Sequence, residues 1–338
     1  MVRLDRLWFG AAPAWQRALG LVALGPPSLL FRLGVGVRNA LFDAGVLATG
    51  RVENVQVVSV GNLVVGGAGK TPLVIFLAQW ALASGLRVAV LSRGHGRASR
   101  GPLDFDAAAL PDEPRCGDEP RLIARKAPGA RLYVDADRLR AATVARANGA
   151  QVAILDDGFQ HRRLARDVDL LVEVPGASPH VLPLGPHREP VANRRRATLC
   201  WNGPSPNDPA GALVVERLVD PTGQVATPRR VVALTGIARP DRFLTTLRGL
   251  GLDVTGRWHF PDHHRFSPAE LARVSSDAAR QGAVVVTTEK DRERLPSGFA
   301  AVTVETALSV TRGLDTLARA LGWPEACAPR PTMEEGAP

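Results

Sequence analysis

Val55-Gln56-Val57-Val58-Ser59-Val60-Gly61-Asn62-Leu63-Val64-Val65-Gly66-Gly67-Ala68-Gly69-Lys70-Thr71-Pro72 is the stretch on which the fold turns. Val55–Val60 is a short, apolar, β-branched run and reads as a buried strand. The glycines that follow let the backbone turn tightly and aim successive N–H groups at one point. Leu73–Ala83 is then apolar nearly all round and stops at Ser84-Gly85, which reads as a buried helix. Strand, glycine loop and helix together form a phosphate cradle. The helix N-terminus adds positive potential, Lys70 can reach terminal phosphates, and Thr71 offers a hydroxyl to Mg²⁺. Pro72 costs little, because first-turn amides have no acceptor within the helix. The strict pattern has glycine where this chain has Val64. The expected triphosphate-binding residues are Val64, Val65, Gly66, Gly67, Ala68, Gly69, Lys70 and Thr71.

Outward from this loop, Val88–Leu91, Val152–Leu155 and Leu170–Val174 read as further buried strands, and Leu122–Ala127 and Leu139–Ala147 as helices. Strands alternating with helices predict a mainly parallel sheet covered on both faces. Pro/Gly-rich stretches at Pro175–Pro190 and Gly203–Gly211 break the rhythm, and a new alternation follows. It comprises strand Val231–Thr235, helix Asp241–Leu250, strand Val284–Thr288 and a helix near Ser309–Leu321. The expected fold is α/β: a P-loop NTPase-type sheet with helices on both faces, a smaller C-terminal α/β domain and an N-terminal helical segment. The expected boundaries are 1–50, 51–200, 201–325 and a frayed tail over 326–338.

Val152-Ala153-Ile154-Leu155-Asp156-Asp157 is an apolar strand ending in two carboxylates, the arrangement that delivers an acid to Mg²⁺ beside a phosphate loop. Thr71, Asp156 and Asp157 are the expected metal ligands, with the choice between the two aspartates open. Asp118, in Gly117-Asp118-Glu119-Pro120, also reads as a helix N-cap. Asp262-His263-His264 precedes Ser267-Pro268-Ala269-Glu270, a capping box that explains Ser267 and Glu270 but not two histidines. A histidine supporting a general base is the sharper reading of that pair. Ser92-Arg93-Gly94-His95-Gly96-Arg97 and Phe159-Gln160-His161-Arg162-Arg163 each follow a strand end and put guanidinium groups beside the expected phosphate site. A solvated basic loop is the plain alternative for both.

The net charge of +9 suggests an anionic partner such as phosphate, a lipid head group or nucleic acid, with arginines that simply solvate the surface as the plain alternative. Lys70, Lys126 and Lys290 are the only lysines, so nearly all basic charge is arginine. A lysine in the glycine loop therefore marks a need for a compact ammonium. Few aromatics and no nucleic-acid motif argue against a nucleic-acid partner. Cys116, Cys200 and Cys327 lack disulfide or metal spacing, which fits a reducing compartment. Ala18–Phe31 is apolar but interrupted by Pro26-Pro27, and reads as too short and broken to span a bilayer, which takes roughly 20 helical residues. Trp8, Trp15, Leu29, Leu30 and Phe31 alternate with Arg3, Arg6, Arg17, Arg32 and Arg38, the pattern of a segment lying in a membrane interface. A pair of core helices before the first strand is the other reading.

Taken together, Ser59-Val60-Gly61-Asn62 running into Gly66–Pro72, Leu91-Ser92-Arg93-Gly94, Gly117-Asp118-Glu119-Pro120, Asp156–Arg162 and Arg166-Asp167-Val168-Asp169 resemble the tetraacyldisaccharide 4′-kinase (lipid A 4′-kinase) family. Arg188-Glu189-Pro190, Ala238-Arg239-Pro240, Phe260–His264 and Thr287–Asp291 continue the likeness in family order. The resemblance implies ATP- and Mg²⁺-dependent phosphorylation of the 4′-hydroxyl of a tetraacylated glucosamine disaccharide 1-phosphate. It implies Asp118 as the base, assisted by His263 or His264, and Asp156 and Asp157 in metal binding and catalysis. Arg93, Gln160, His161 and Arg162 become the expected substrate-binding residues. It also implies an N-terminal segment that docks, as a peripheral or monotopic element, on the cytoplasmic face of the inner membrane; a monomer is expected, though the sequence does not settle the oligomeric state. A cleft between two α/β domains is expected, with the second domain closing to bring Asp262-His263-His264 toward Asp118. The chain departs from the family pattern at Val64, at His95, in the loop Pro175–Pro186 and at His187.

Two other nucleotide-binding readings fail on residues. A partitioning-type ATPase has a lysine just before the first glycine, where this chain has Val65. A GTPase reads guanine with Asn-Lys-x-Asp, whereas Thr288-Glu289-Lys290-Asp291 lacks the asparagine and carries its lysine one place late.

Overall fold

The computed structural model describes residues 7–9, 13–94, 96–99 and 101–331. Two sheets form the body. The first contains β1 (Gln56–Gly61), β2 (Val88–Ser92), β3 (Leu103–Phe105), β4 (Arg131–Val134), β5 (Val152–Asp156), β6 (Val168–Val172) and β7 (Leu199–Trp201). Their order is β3-β4-β2-β5-β1-β6-β7, parallel throughout except for the β3 edge. β1 lies between β5 and β6, with Val60 opposite Asp156. The loop leaving β1 and the acid ending β5 therefore emerge side by side at the C-terminal rim of the sheet, where open α/β sheets bind ligands.

The second sheet contains β8 (Ala210–Val219), β9 (Arg230–Thr235), β10 (Asp253–His259), β11 (Val284–Thr288) and β12 (Val302–Arg312), in the order β10-β9-β11-β12-β8. Only β8 runs antiparallel to its neighbour. The helix expected near Ser309–Leu321 is shorter than that. β12 continues to Arg312, and Gly313, at φ 71°, turns the chain into a helix over Leu314–Leu321.

The helices, in chain order, are α1 (Ala14–Asp43), α2 (Lys70–Ala83), α3 (Glu113–Cys116), α4 (Asp118–Lys126), α5 (Arg138–Ala147), α6 (Pro240–Gly249), α7 (Pro268–Arg280), α8 (Glu289–Arg292) and α9 (Leu314–Leu321). The all-round apolar surface of α2 has a structural cause. One side covers the first sheet, and the other receives α9 and the residues after it. Leu317, Ala318, Leu321 and Trp323 share one core with Trp80. The Trp80 and Trp323 rings meet edge to face at 5.7 Å, Trp80 Nε1 donates to the Pro324 carbonyl and Trp323 Nε1 to Gln56 Oε1. A segment expected to belong to the second domain thus closes the first. The tail, expected to fray from 326, is packed at least to Ala328, which is buried. Residues 332–338 lie outside the described residues.

α1 departs from expectation. It runs unbroken for 30 residues through Pro26-Pro27. A proline removes one N–H and crowds the carbonyl four residues back, which weakens a helix locally without ending it. Gly25, lacking a Cβ, relieves the clash that normally bars helix just before proline. The helix is therefore long and apolar enough to cross a membrane by length and composition. Only Gly20, Ser28, Asn39 and Phe42 are buried, while Val22 and Leu30 are 76% and 70% exposed. Its buried side is fastened to the first domain, with Ser28 Oγ donating to the Val181 carbonyl and Asn39 Nδ2 to Glu189 Oε2. Arg3 and Arg6 lie outside the described residues.

Candidate active site

The loop after β1 carries Gly66 at φ 96° and Gly69 at φ 77°, left-handed conformations that a side chain would strain. Gly69 caps α2, so Lys70 and Thr71 open the helix with its free N–H groups around them. Beside the loop runs the segment Pro186–Arg188. Val65 N–H donates to the Pro186 carbonyl, Arg188 N–H donates to the Leu63 carbonyl, and Val64 pairs with His187. This short bridge delivers Arg188 to the glycine loop from far along the chain.

A tight charge cluster results. Lys70 Nζ lies 3.2 Å from Asp157 Oδ1 and 3.0 Å from Asn62 Oδ1. Arg188 grips Asp157 with both guanidinium arms, at 2.8 and 2.9 Å, and also reaches Asn62 Oδ1. Burial raises the Asp157 carboxyl, but the Arg188 hydrogen bonds and Lys70 outweigh it and hold the group well below the ordinary carboxylate range. Asp157 sits at φ 55°, an uncommon conformation for a non-glycine residue and a form of stored strain. Asp156 differs. It is buried, among the described residues its Oδ2 accepts only a long bond from Ser92 Oγ at 3.4 Å, and burial, followed by the like charges of Glu119 and Asp157, pushes its carboxyl up to about 7.

Across the cleft, Asp118 opens α4 with its side chain 3% exposed. It does not cap the helix in the usual way. Oδ1 accepts the Glu119 N–H at 2.9 Å, while Oδ2 lies 3.0 Å from His263 Nδ1 and 3.4 Å from Arg294 Nε. Burial opposes ionisation, yet the His263 hydrogen bond, Lys290 and Arg294 together keep the Asp118 carboxyl below its usual value. The same hydrogen bond raises His263 above the ordinary imidazole, against burial and Lys290. The approach of the 262–264 segment to Asp118, expected on domain closure, is present here. It is braced by pairs between α4 and the second domain: Lys126–Glu289 at 2.9 Å, Arg121–Glu293 at 2.8 Å and Arg125–Glu293 at 2.7 Å.

The two histidines separate. His263, at φ 59°, faces Asp118, whereas His264 turns away, its Nε2 at 3.1 Å from Glu270 and its ring stacked on Phe260. His264, expected as a catalytic candidate, is part of the capping structure of α7. Arg162 is likewise placed elsewhere. Its guanidinium donates to the Asn39 carbonyl and to Asp43, and lies over the Phe42 ring, tying α1 to the turn after β5. Arg93, Gln160 and His161 do line the cleft. Gln160 Nε2 holds the Asn62 carbonyl, and burial with the nearby Arg138 pushes His161 down to about 4, so its ring is neutral. His95 lies outside the described residues.

The glycine loop, Asp156, Asp157, Arg188 and His263 line one cleft of about 1280 Å³ between the two sheets. Sequence reasoning assigned no role to Asn62, Arg138, Arg188 or Lys290, all polar groups at or beside this cleft. Arg188 was visible only as part of Arg188-Glu189-Pro190, with nothing local to say that it meets Asp157. Arg138, buried at the start of α5, had no signal beyond following a strand.

Known proteins resemble this chain over most of its length. A family model described as tetraacyldisaccharide-1-P 4′-kinase matches residues 21–321. The tetraacyldisaccharide 4′-kinase of Anaeromyxobacter sp. (strain K) is 40% identical, with all of both chains covered. That of Rhodospirillum centenum is 44% identical over 72% of this chain and 75% of its own. The crystal structure of LpxK from Aquifex aeolicus in complex with ATP superposes with a TM-score of 0.75 at 30% identity, covering 90% of this chain and 98% of that one. The chain belongs to the tetraacyldisaccharide 4′-kinase family.

Proposed function

We propose that the cleft works as an ATP-dependent lipid A 4′-kinase, with the glycine loop holding the triphosphate and Asp118 facing the acceptor. The observation that carries the assignment of roles is the meeting of two clusters in one cleft. Lys70, Asp157 and Arg188 gather at the phosphate loop, and His263, which holds the buried Asp118, lines the same cleft. Phosphoryl transfer needs positioning and charge neutralisation more than covalent help, and these clusters supply both.

In this reading the N–H groups of residues 64–71 and the Lys70 ammonium bind the β- and γ-phosphates. Arg188, paired with Asp157 in the free protein, turns its planar fork to the phosphate oxygens when nucleotide enters. Asp118 accepts the proton of the sugar 4′-hydroxyl as its oxygen bonds to the γ-phosphorus and the bond to the ADP oxygen breaks. Arg93 and His161 contact the acceptor side of the transferring group.

The residues present fit Mg²⁺. Among the described residues Asp156 is a buried carboxylate without a cationic hydrogen-bond partner, and Thr71 and Asp157 add oxygen donors on the same cleft. No cluster of three or more His, Cys, Asp or Glu suited to a metal occurs among the described residues. That suits an ion that keeps waters and takes phosphate oxygens. Bound there, Mg²⁺ would neutralise charge on the transferring phosphoryl group.

The exposed apolar face of α1 favours docking on the cytoplasmic leaflet of the inner membrane, where both ATP and a lipid acceptor are within reach. Trp15 and Arg17 at its start and Arg32 and Arg38 further along match an interfacial anchor, and the protein acts as a monomer there. Incubation with γ-labelled ATP and a tetraacyldisaccharide 1-phosphate tests the assignment. Label should pass to the lipid with the wild-type protein. Asp118→Asn should lower kcat by orders of magnitude while ATP affinity stays near wild type. Normal turnover by that variant would remove Asp118 from the mechanism.

A further inference from the structure

The first turn of α6 approaches the glycine loop from the second domain and takes no part in the chemistry of Asp118. The residue before it lies on that loop: a Cβ at Gly67 would stand 3.4 Å from the Ala238 Cβ. Arg239 follows as the N-cap of α6, and Arg242, Phe243 and Thr246 share the helix face that lines the cleft. Among the described residues neither guanidinium has a carboxylate partner or a hydrogen-bond acceptor. Burial works against the Arg239 cation, and the like charge of Arg242 adds to that cost. Arg239 rests instead on Phe9, its guanidinium carbon 5.3 Å from the ring centroid. A ring face attracts a cation, but it leaves the five N–H donors at the guanidinium rim without acceptors. Two like charges held beside a phosphate-binding loop, with no acid between them, repel each other in the empty cleft. An anion entering there removes that repulsion and supplies the missing acceptors.

We propose that Arg239 and Arg242 form a second phosphate subsite, carried by the second domain, that grips the polyphosphate of the nucleotide from the side opposite the glycine loop. The subsite depends on residues 64–71 holding the triphosphate. Phosphate oxygens could reach these two side chains from the nucleotide or from the 1-phosphate of the acceptor. The contact of Ala238 with Gly67 favours the nucleotide, because whatever sits in the loop lies next to the start of α6. Lys70 and Arg188 keep the inner side of the same phosphates. Closure is then coupled to ligand charge: a loaded loop draws the second domain down, and an empty one lets it go.

The test is calorimetry on the full-length protein in phospholipid nanodiscs with Mg²⁺. The ligands are a non-hydrolysable ATP analogue, ADP, inorganic tripolyphosphate and adenosine. Arg239→Gln and Arg242→Gln should each weaken the analogue, ADP and tripolyphosphate about tenfold or more, the scale of one charge-assisted hydrogen bond. Adenosine, which carries no phosphate, should bind both variants as it binds wild type. Arg242→Lys, which keeps the charge without the planar fork, should recover part of the loss. No loss for tripolyphosphate, or an equal loss for adenosine, the mark of a merely structural role, would overturn the proposal. Unchanged nucleotide affinity with a raised KM for the lipid acceptor would also overturn it, and would give the pair to the 1-phosphate. Arg242 is exposed, so its variants decide even where Arg239→Gln does not fold. Failure of wild type to pass label to the lipid would sink the kinase reading, whereas weakened ADP binding in the variants would still support the subsite.

Discussion

Replacing each histidine of Asp262-His263-His264 separately divides their roles. His263→Gln removes the contact to Asp118 at 3.0 Å, a hydrogen bond to a charged, buried partner. Such bonds contribute about 1.5–3 kcal/mol. If that stabilisation is needed in the transition state, kcat falls about 10- to 150-fold. His264→Gln removes a contact to Glu270 on the outer side of the α7 cap, where neither partner lines the cleft. Its kcat should stay within about twofold of wild type, as for other substitutions away from a site. The assay is rapid-quench single turnover at saturating ATP, with acceptor and enzyme on the same vesicles so that docking does not limit the rate. ATP affinity, measured separately, should change little in either variant. Equal losses for the two histidines, or a larger loss for His264→Gln, would refute the geometry.

Asp156, pushed up to about 7 by burial, should be partly protonated near neutral pH and should lose that proton to an entering cation. Calorimetry of Mg²⁺-nucleotide binding in buffers of different ionisation enthalpy should show proton release near neutral pH, falling away as pH rises. Trp323→Ala should cost about 3–5 kcal/mol in denaturant unfolding, as for other buried tryptophans. A loss under about 1 kcal/mol would mean that the C-terminal segment does not lock onto Trp80. Val22→Glu with Leu30→Glu should abolish most binding to anionic vesicles while leaving the far-UV spectrum intact, because each buried apolar side chain contributes about 1.5–3 kcal/mol. Unchanged binding would place the docking surface elsewhere.

The elements legible in the sequence were those whose signals are local. β1, its glycine loop and α2 stand consecutively, and the two aspartates end an unbroken apolar strand, so residue type and spacing suffice. Asp118 and the histidines carried a chemical signal without a geometric one. Separating His263 from His264 required the turn at φ 59° and the pull of Glu270. Arg188 meets Asp157 through an edge bridge across 31 residues, which no local pattern announces. The return of α9 to the first domain was implied by the all-round apolar surface of α2, which a single sheet cannot cover. β8 escaped notice because it pairs as an edge strand and is largely part-exposed, so its hydrophobic alternation is weak. Pro26-Pro27 misled for a physical reason: a proline pair weakens a helix, but does not by itself stop one.

The central claim is that a single triphosphate lies between the glycine loop and Asp118, with its outermost phosphate turned to the acceptor. A crystal structure with Mg²⁺, a non-hydrolysable ATP analogue and the acceptor lipid tests it most directly. The account predicts the γ-phosphate between Lys70 and Asp118, with Arg188 moved from Asp157 onto its oxygens and the 4′-hydroxyl within hydrogen-bond reach of Asp118. A triphosphate bound away from residues 64–71, or a 4′-hydroxyl facing some other base, would contradict it.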